Sequence, residues 1–309
     1  MKKITRQPQT NRRTFIKSAA ALTGAVTLGL PLRSAASADA ELDADFVGPW
    51  GVCYAENGDL FVTDPGAYHV LVFDQNGQMK NVFGKPGSRD GCLNFPTGIQ
   101  VAGSEVLVAD TNNGRIAIFN RRGEWTGSLG SLGIATAKLA APNGVFAGDR
   151  WIWVANTRGH VVQRYDWSSR RLDRAFGVLG DDARPPAPGA LDFTLRQPTA
   201  IVSDTYGRVY VLDSKHARIV ALDMEGRVQW IVAPQADGRG LLRPQAMTIN
   251  VDTLLLADTG NHRLLKLDLA GRVLAARDGI TDPHGLSWFG GKIAVAQTSE
   301  RAVRIIDGL

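Results

Sequence analysis

One short motif recurs six times along the 309 residues, and that repetition restricts the fold more than any other feature of the chain. A proline leads a short or ring-bearing residue and then a small or apolar pair at Pro49-Trp50-Gly51-Val52, Pro96-Thr97-Gly98-Ile99, Pro142-Asn143-Gly144-Val145, Pro198-Thr199-Ala200-Ile201, Pro244-Gln245-Ala246-Met247 and Pro283-His284-Gly285-Leu286. The intervals between prolines are 47, 46, 56, 46 and 39 residues. A second landmark keeps step with the first. It is an apolar run ending in a short polar residue, at Leu60 to Asp64, Val106 to Asp110, Ile152 to Asn156, Val209 to Asp213, Leu254 to Asp258 and Ile293 to Gln297.

Apolar runs of this length, bounded by Gly, Asn and Asp, read as strands and are too short for ordinary helices. The first unit gives strands at Gly51 to Tyr54, Leu60 to Thr63, Val70 to Phe73 and Gln78 to Phe83. The dipeptides Asn57-Gly58 and Asn76-Gly77 supply the positive φ of a tight hairpin. Four antiparallel strands in roughly 45 residues make one propeller blade. The expected fold is therefore all-β, a six-bladed β-propeller of four-stranded antiparallel blades over residues 39–309. The last unit reaches Leu309 after three strands, so the stretch near Glu41 to Phe46 is expected to donate the closing strand.

The sequence becomes specific at Asp110-Thr111-Asn112-Asn113-Gly114-Arg115-Ile116, at Asp258-Thr259-Gly260-Asn261-His262-Arg263-Leu264, and at Phe83-Gly84-Lys85-Pro86-Gly87 leading to Pro96. These segments resemble the NHL repeat, and the resemblance extends over about residues 46–309. It implies a six-bladed propeller and a role in recognition. Repeats three and six depart from the pattern, with Asn156 and Gln297 at the Asp position and no Arg five residues later.

Residues 1–38 read as an address. All seven charges there are basic, and Arg12, Arg13, Phe15 and Lys17 resemble the twin-arginine export pattern, with Ile16 at its Leu position. A mildly apolar stretch, Ser18 to Leu32, and then Ala36-Ser37-Ala38 complete an export signal, with cleavage expected after Ala38. The apolar stretch falls short of a bilayer span, so no stable membrane anchor is expected after cleavage. The expected location is periplasmic. The whole chain carries 35 basic and 30 acidic residues, a net charge of +5; without the seven, 28 basic face 30 acidic, a net −2. Nucleic acid therefore loses its support as a partner.

The pairs Asp110 and Arg115, Asp213 and Arg218, and Asp258 and Arg263 lie five apart across a tight loop and read as repeat architecture. The loops after each second strand should share one face with the blade-entering connections. That face carries Tyr68, His69, Arg115, Arg158, His160, Lys215, His216, Arg218, His262, Arg263 and Arg301, a basic set on an acidic whole. The connection between repeats three and four is about ten residues longer than its neighbours, within Gly177 to Leu195, and should project from this face.

Behind each leading proline, Trp50, Thr97, Asn143, Thr199, Gln245 and His284 should ring the mouth of the central channel. Peptide-amidating lyases of similar fold place zinc-binding His at several Pro-His positions, but only His284 matches here, and one imidazole cannot hold a catalytic zinc. Gluconolactonase-like enzymes use carboxylates and Asn; Asn143 matches, while Trp50 and His284 stand where acids are wanted. No metal site and no cofactor are expected. Cys53 and Cys92 lack zinc-site spacing, and a disulfide between them is a secondary reading. The preferred function is a non-catalytic binding or scaffold propeller, a monomer or one subunit of a complex, that holds a protein partner or a small anionic ligand. Its site residues would be Trp50, Asn143, His284, Tyr68, His69, Arg158, His160, Lys215, His216 and His262. An accessory subunit of an exported redox complex is one form of this reading. The alternative is a hydrolase, lyase or lactonase at the central channel.

Overall fold

A computed structural model describes residues 39–133, 138–148, 150–181 and 186–309; the export signal read on Arg12, Arg13, Phe15 and Lys17 lies outside them. The described residues form an all-β, six-bladed propeller, each blade a four-stranded antiparallel sheet. Blade two is typical, with strands Pro96–Ala102, Glu105–Asp110, Arg115–Asn120 and Trp125–Leu129 in spatial order. The only helical elements among the described residues are three-residue 3-10 turns between second and third strands.

Burial grades outward from the axis. Second strands are buried almost throughout, as in Leu60–Asp64, whereas outer strands such as Met79–Phe83 are mostly exposed. The core is a set of inter-blade layers: Phe61, Val70, Val72 and Phe83 of blade one pack on Val106, Val108, Ala117 and Phe119 of blade two. A continuous apolar run therefore marks a strand buried on both faces.

The small residue in the proline motif has a steric cause. A Cβ on Gly98 would lie 2.0 Å from the Asn143 carbonyl oxygen, and one on Gly285 would lie 2.2 Å from that of Trp50. Inner strands of successive blades meet this closely around the axis, so a larger side chain does not fit.

A hydroxyl joins each such pair of blades. The first residue of the 3-10 turn donates to the carbonyl of the next blade's leading proline: Thr111 to Pro142 (2.9 Å), Thr157 to Pro198 (2.7 Å), Ser214 to Pro244 (2.7 Å), Thr259 to Pro283 (2.6 Å) and Thr298 to Pro49 (2.6 Å). In blade one Pro65 occupies that position, and Thr63 donates instead to the Thr97 carbonyl at 2.5 Å.

The closing strand is Ala40–Glu41, paired with Ala302–Asp307 of blade six through Ala40 opposite Ile305 and Glu41 opposite Arg304. Leu42 extends the pairing by donating its N–H to Val303, and Leu42 and Phe46 are buried against Phe73 and Val303. The acidity of this stretch is matched by bases: Glu41 faces Arg304 at 3.2 Å and Asp39 faces Arg277 at 2.6 Å.

The long connection does not simply project from the loop face. Val178–Leu179 pairs in parallel with Thr194–Leu195, and Phe193 is buried among side chains of blades three and four. Gly189 donates to the Val228 carbonyl at 2.7 Å and Val228 donates to Ala190 at 2.9 Å. The extra length thus satisfies backbone groups at the open edge of blade four.

Candidate functional site

The loop face is built by the polar residue that ends each second strand. Asp258 is fully buried; its carboxylate accepts the Leu242 N–H (2.7 Å), Asn261 Nδ2 (2.8 Å) and Arg263 Nε (2.7 Å). Asp110 serves Asn94, Asn113 and Arg115 in the same way, and Asp213 serves Arg196, His216 and Arg218. Each arginine then spends its remaining donors on connection carbonyls, as Arg115 does on Arg89 and Cys92, and Arg263 on Ala236 and Arg239. Arg115, Arg218 and Arg263 are therefore internal ties with neutralised charge, which removes them from the expected basic surface.

The histidines divide. His216 is buried, with Nδ1 2.7 Å from Asp213, and takes the place that Asn113 and Asn261 hold in blades two and five. It is part of the loop's frame. His160 and His262 each accept a backbone N–H at Nδ1, from Gln197 and Asp282 respectively, both at 3.1 Å. An accepting Nδ1 carries no proton, so both rings are neutral in this arrangement. His69 is half-buried, its Nε2 enclosed without a partner, and burial lowers its pKa against the pull of Asp64. Arg158 and Lys215 are exposed, and Tyr68 is partly so.

Trp50, Asn143, Thr199, Gln245 and His284 do line one central cavity of about 100 Å³, but Thr97 does not. Its hydroxyl turns into the blade and meets that of Thr111 at 2.7 Å. At the cavity mouth the Trp50 ring lies 4.2 Å from His284 and meets Phe95 edge-on at 5.8 Å. Burial holds the His284 pKa down, leaving a neutral ring whose Nδ1 sits 3.0 Å from the Asp282 carbonyl oxygen. Deeper in the cavity, burial pushes the Cys53 thiol up to about 11, so it is no nucleophile at neutral pH. Cys53 and Cys92 are both free thiols. Among the described residues no three His, Cys, Asp or Glu side chains converge as metal ligands.

One feature of this face was not read from the sequence. Of the thirteen non-glycine residues with positive φ among the described residues, ten lie here in two series. Tyr68, His160, Ala217, His262 and Arg301 end the 3-10 turns or the matching blade-one turn; Phe95, Ala141, Gln197, Arg243 and Asp282 directly precede the leading prolines. Left-handed backbone costs about 1–2 kcal/mol at a residue with a Cβ, and here the repeat imposes it position by position. The side chains so aimed, Phe95, Arg243 and Asp282 among them, form a rim beside the six residues that follow the prolines. Their signal was the residue immediately before each proline.

The NHL repeat model matches residues 46–73, within blade one. Protein brain tumor of Drosophila melanogaster is 30% identical over 151 residues, which are 47% of this chain and 13% of that protein. The chain thus matches about an eighth of the length of that relative. Among solved structures, a gluconolactonase from Xanthomonas campestris superposes with a TM-score of 0.65 at 13% identity, covering 89% of this chain and 99% of that one. A chain of a nidogen/laminin complex gives 0.63 at 16% identity, covering 78% and 85%. These likenesses establish the propeller fold.

Proposed function

We propose that the chain is a binding or scaffold propeller whose loop face holds a protein partner or a small anionic ligand, working in the periplasm after export through the signal at Arg12 and Arg13. The observation that carries this reading is the exposure of large apolar side chains around that face: Val47, Tyr68, Phe95, Leu132, Val178, Leu179 and Leu242. Arg158, Lys215, Arg243 and Arg301 stand exposed on the same face with no ion pair among the described residues. An apolar ring with scattered, uncommitted cations suits a partner with matching apolar and acidic groups. The small channel, with a neutral His284 and an inert Cys53, offers less to a catalytic reading. Likeness to structures that include both a lactonase and a protein complex leaves the choice to the site itself.

The test is affinity purification from the native host. Changing Leu132, Val178, Leu179, Arg158 and Lys215 together to Ser should remove the co-purifying partner, whereas His284→Ala should not. Recovery of the same partners by the loop-face variant would end this reading, and loss with His284→Ala alone would move the site into the channel. In the same cells, Arg12→Lys with Arg13→Lys should leave the protein in the cytoplasm.

A further inference from the structure

The arginines not absorbed by the loop ties gather on blade three. Residues 150–174 contain six arginines and two acids, although residues 39–309 as a whole are net acidic. Arg164 lies on the third strand directly between Trp153 and Arg174 of the neighbouring strands. At the same register, counted from the polar residue that ends each second strand, blades one, two, four and six carry Val72, Ile118, Ala221 and Ile305, and blade five carries Lys266. A guanidinium thus occupies a position that is apolar in four of the other five blades, and only in blade three does a second cation, Arg174, stand opposite it, where blade five sets Ala275 against Lys266.

The arrangement is layered. Trp151 is contacted by two guanidinium groups, Arg150 at 4.4 Å and Arg164 at 4.3 Å from the ring centre. Arg164 continues onto Phe176 at 5.3 Å, and Arg174 approaches that ring at 6.0 Å. Arg164 itself is satisfied by Asp173 and by the Met224 carbonyl of blade four. The other nearby acids are engaged too: Glu105 with Arg170 at 2.6 Å, and Asp166 with the hydroxyls and N–H groups of Ser168 and Ser169. Arg150 is held only loosely, 3.9 Å from Asp166, and is well exposed. Arg171 and Arg174 are exposed and have no carboxylate partner among the described residues. Like charges facing each other across strands are unfavourable unless an anion offsets them.

We propose that this outer edge of blade three is a second binding surface, for an acidic polypeptide segment, with Arg150, Arg171 and Arg174 as its carboxylate-binding groups. Of the three, Arg150 sits over the Trp151 indole at 4.4 Å, and a guanidinium supported on a ring keeps its N–H edge free for the two parallel bonds that grip a carboxylate. The aromatic rings here act as supports. Trp151 already carries Arg150 and Arg164, and Trp167 carries Arg170 at 4.5 Å, so a stacking nucleic-acid base would compete with guanidinium groups for both indoles. No exposed large apolar side chain of the kind that inserts into a membrane falls within residues 150–174.

A fluorescein-labelled twelve-residue poly-glutamate peptide, read by anisotropy against the full chain at low salt, tests the proposal. Arg150→Ser, Arg171→Ser and Arg174→Ser combined should weaken binding at least tenfold, while Arg158→Ser, Lys215→Ser and Arg301→Ser combined should change it less than twofold. Arg174→Lys should lose part of the affinity, because it keeps the charge and loses the fork. All three substituted arginines are exposed, and an unchanged melting temperature verifies the fold. No binding by the unaltered chain, or equal losses in the two triple variants, overturns the proposal. So does tighter binding of an oligothymidine or of phosphatidylserine vesicles through the same three arginines.

Discussion

Blade five and blade three make the same loop from different chemistry. In blade five a buried carboxylate, Asp258, gathers a connection N–H, an amide and a guanidinium, and both members of its ion pair are fully enclosed. In blade three Asn156 accepts the equivalent N–H, from Ala140 at 2.7 Å, and returns its own amide to the Lys138 carbonyl at 3.0 Å and to Gln163 at 3.3 Å. The hub of this loop carries no charge, its one cation, Arg158, being exposed. What both retain is an acceptor for the incoming connection, so that is the structural requirement. The carboxylate is one solution to it, paired with an arginine in blades two, four and five, whereas the buried Asp64 of blade one accepts the Val47 and Gly48 N–H groups with His69 at the arginine position.

The largest effect should come from breaking the charged version. Asp258→Ala strands a buried guanidinium and an N–H, and should lower stability by about 3–5 kcal/mol in urea unfolding. Asn156→Ala strands neutral groups only and should cost about 1–3 kcal/mol. Equal losses would mean that the charge is irrelevant. A smaller effect should follow from converting one blade to the other's chemistry. Asp258→Asn with Arg263→Gln should be less destabilising than either single change, with a coupling of about 0.5–3 kcal/mol; additive losses would refute the comparison.

The smallest effect concerns acid. His160 of blade three has its pKa lowered from 6.5, first by burial and then by Arg196, against the opposing pull of Asp213. The unfolded chain takes up that proton first, so this stabilisation is whole above pH 6.5 and is lost as pH falls toward the depressed folded value. His160→Asn, which tolerates the left-handed backbone, should flatten the decline in melting temperature below pH 6.5. His69 and His284 share the sign of the shift and should leave a residual slope. A slope unchanged by the substitution would remove His160 from the explanation.

Much of the fold was legible because repetition makes local signals corroborate one another. The paired landmarks located every blade, and the strands of blade one begin and end within a residue of their expected limits. The closing strand was foreseen from the shortfall of the last unit. The site was less legible, because burial decides what a polar residue is free to do. The Asp–Arg pairs at Arg115, Arg218 and Arg263 are the architecture their spacing suggests, but His216 reads as surface chemistry until Asp213 encloses it. Thr97 followed its proline as Asn143 and His284 do, yet the Thr111 hydroxyl drew it out of the channel. Conversely, Thr or Ser follows the landmark residue in five of six repeats, a visible pattern whose purpose needed the neighbouring blade to be seen.

Those hydroxyls all point the same way around the axis, each blade reaching forward to the next, and Thr298 reaches Pro49 by the same bond that Thr111 makes to Pro142. The ring of latches therefore has a direction but no first or last member. A circular permutant that rejoined the present termini and opened at any blade-entering connection would keep the full set of these bonds. Which blade is encoded first is, for this part of the molecule, a convention of the gene and not a property of the fold.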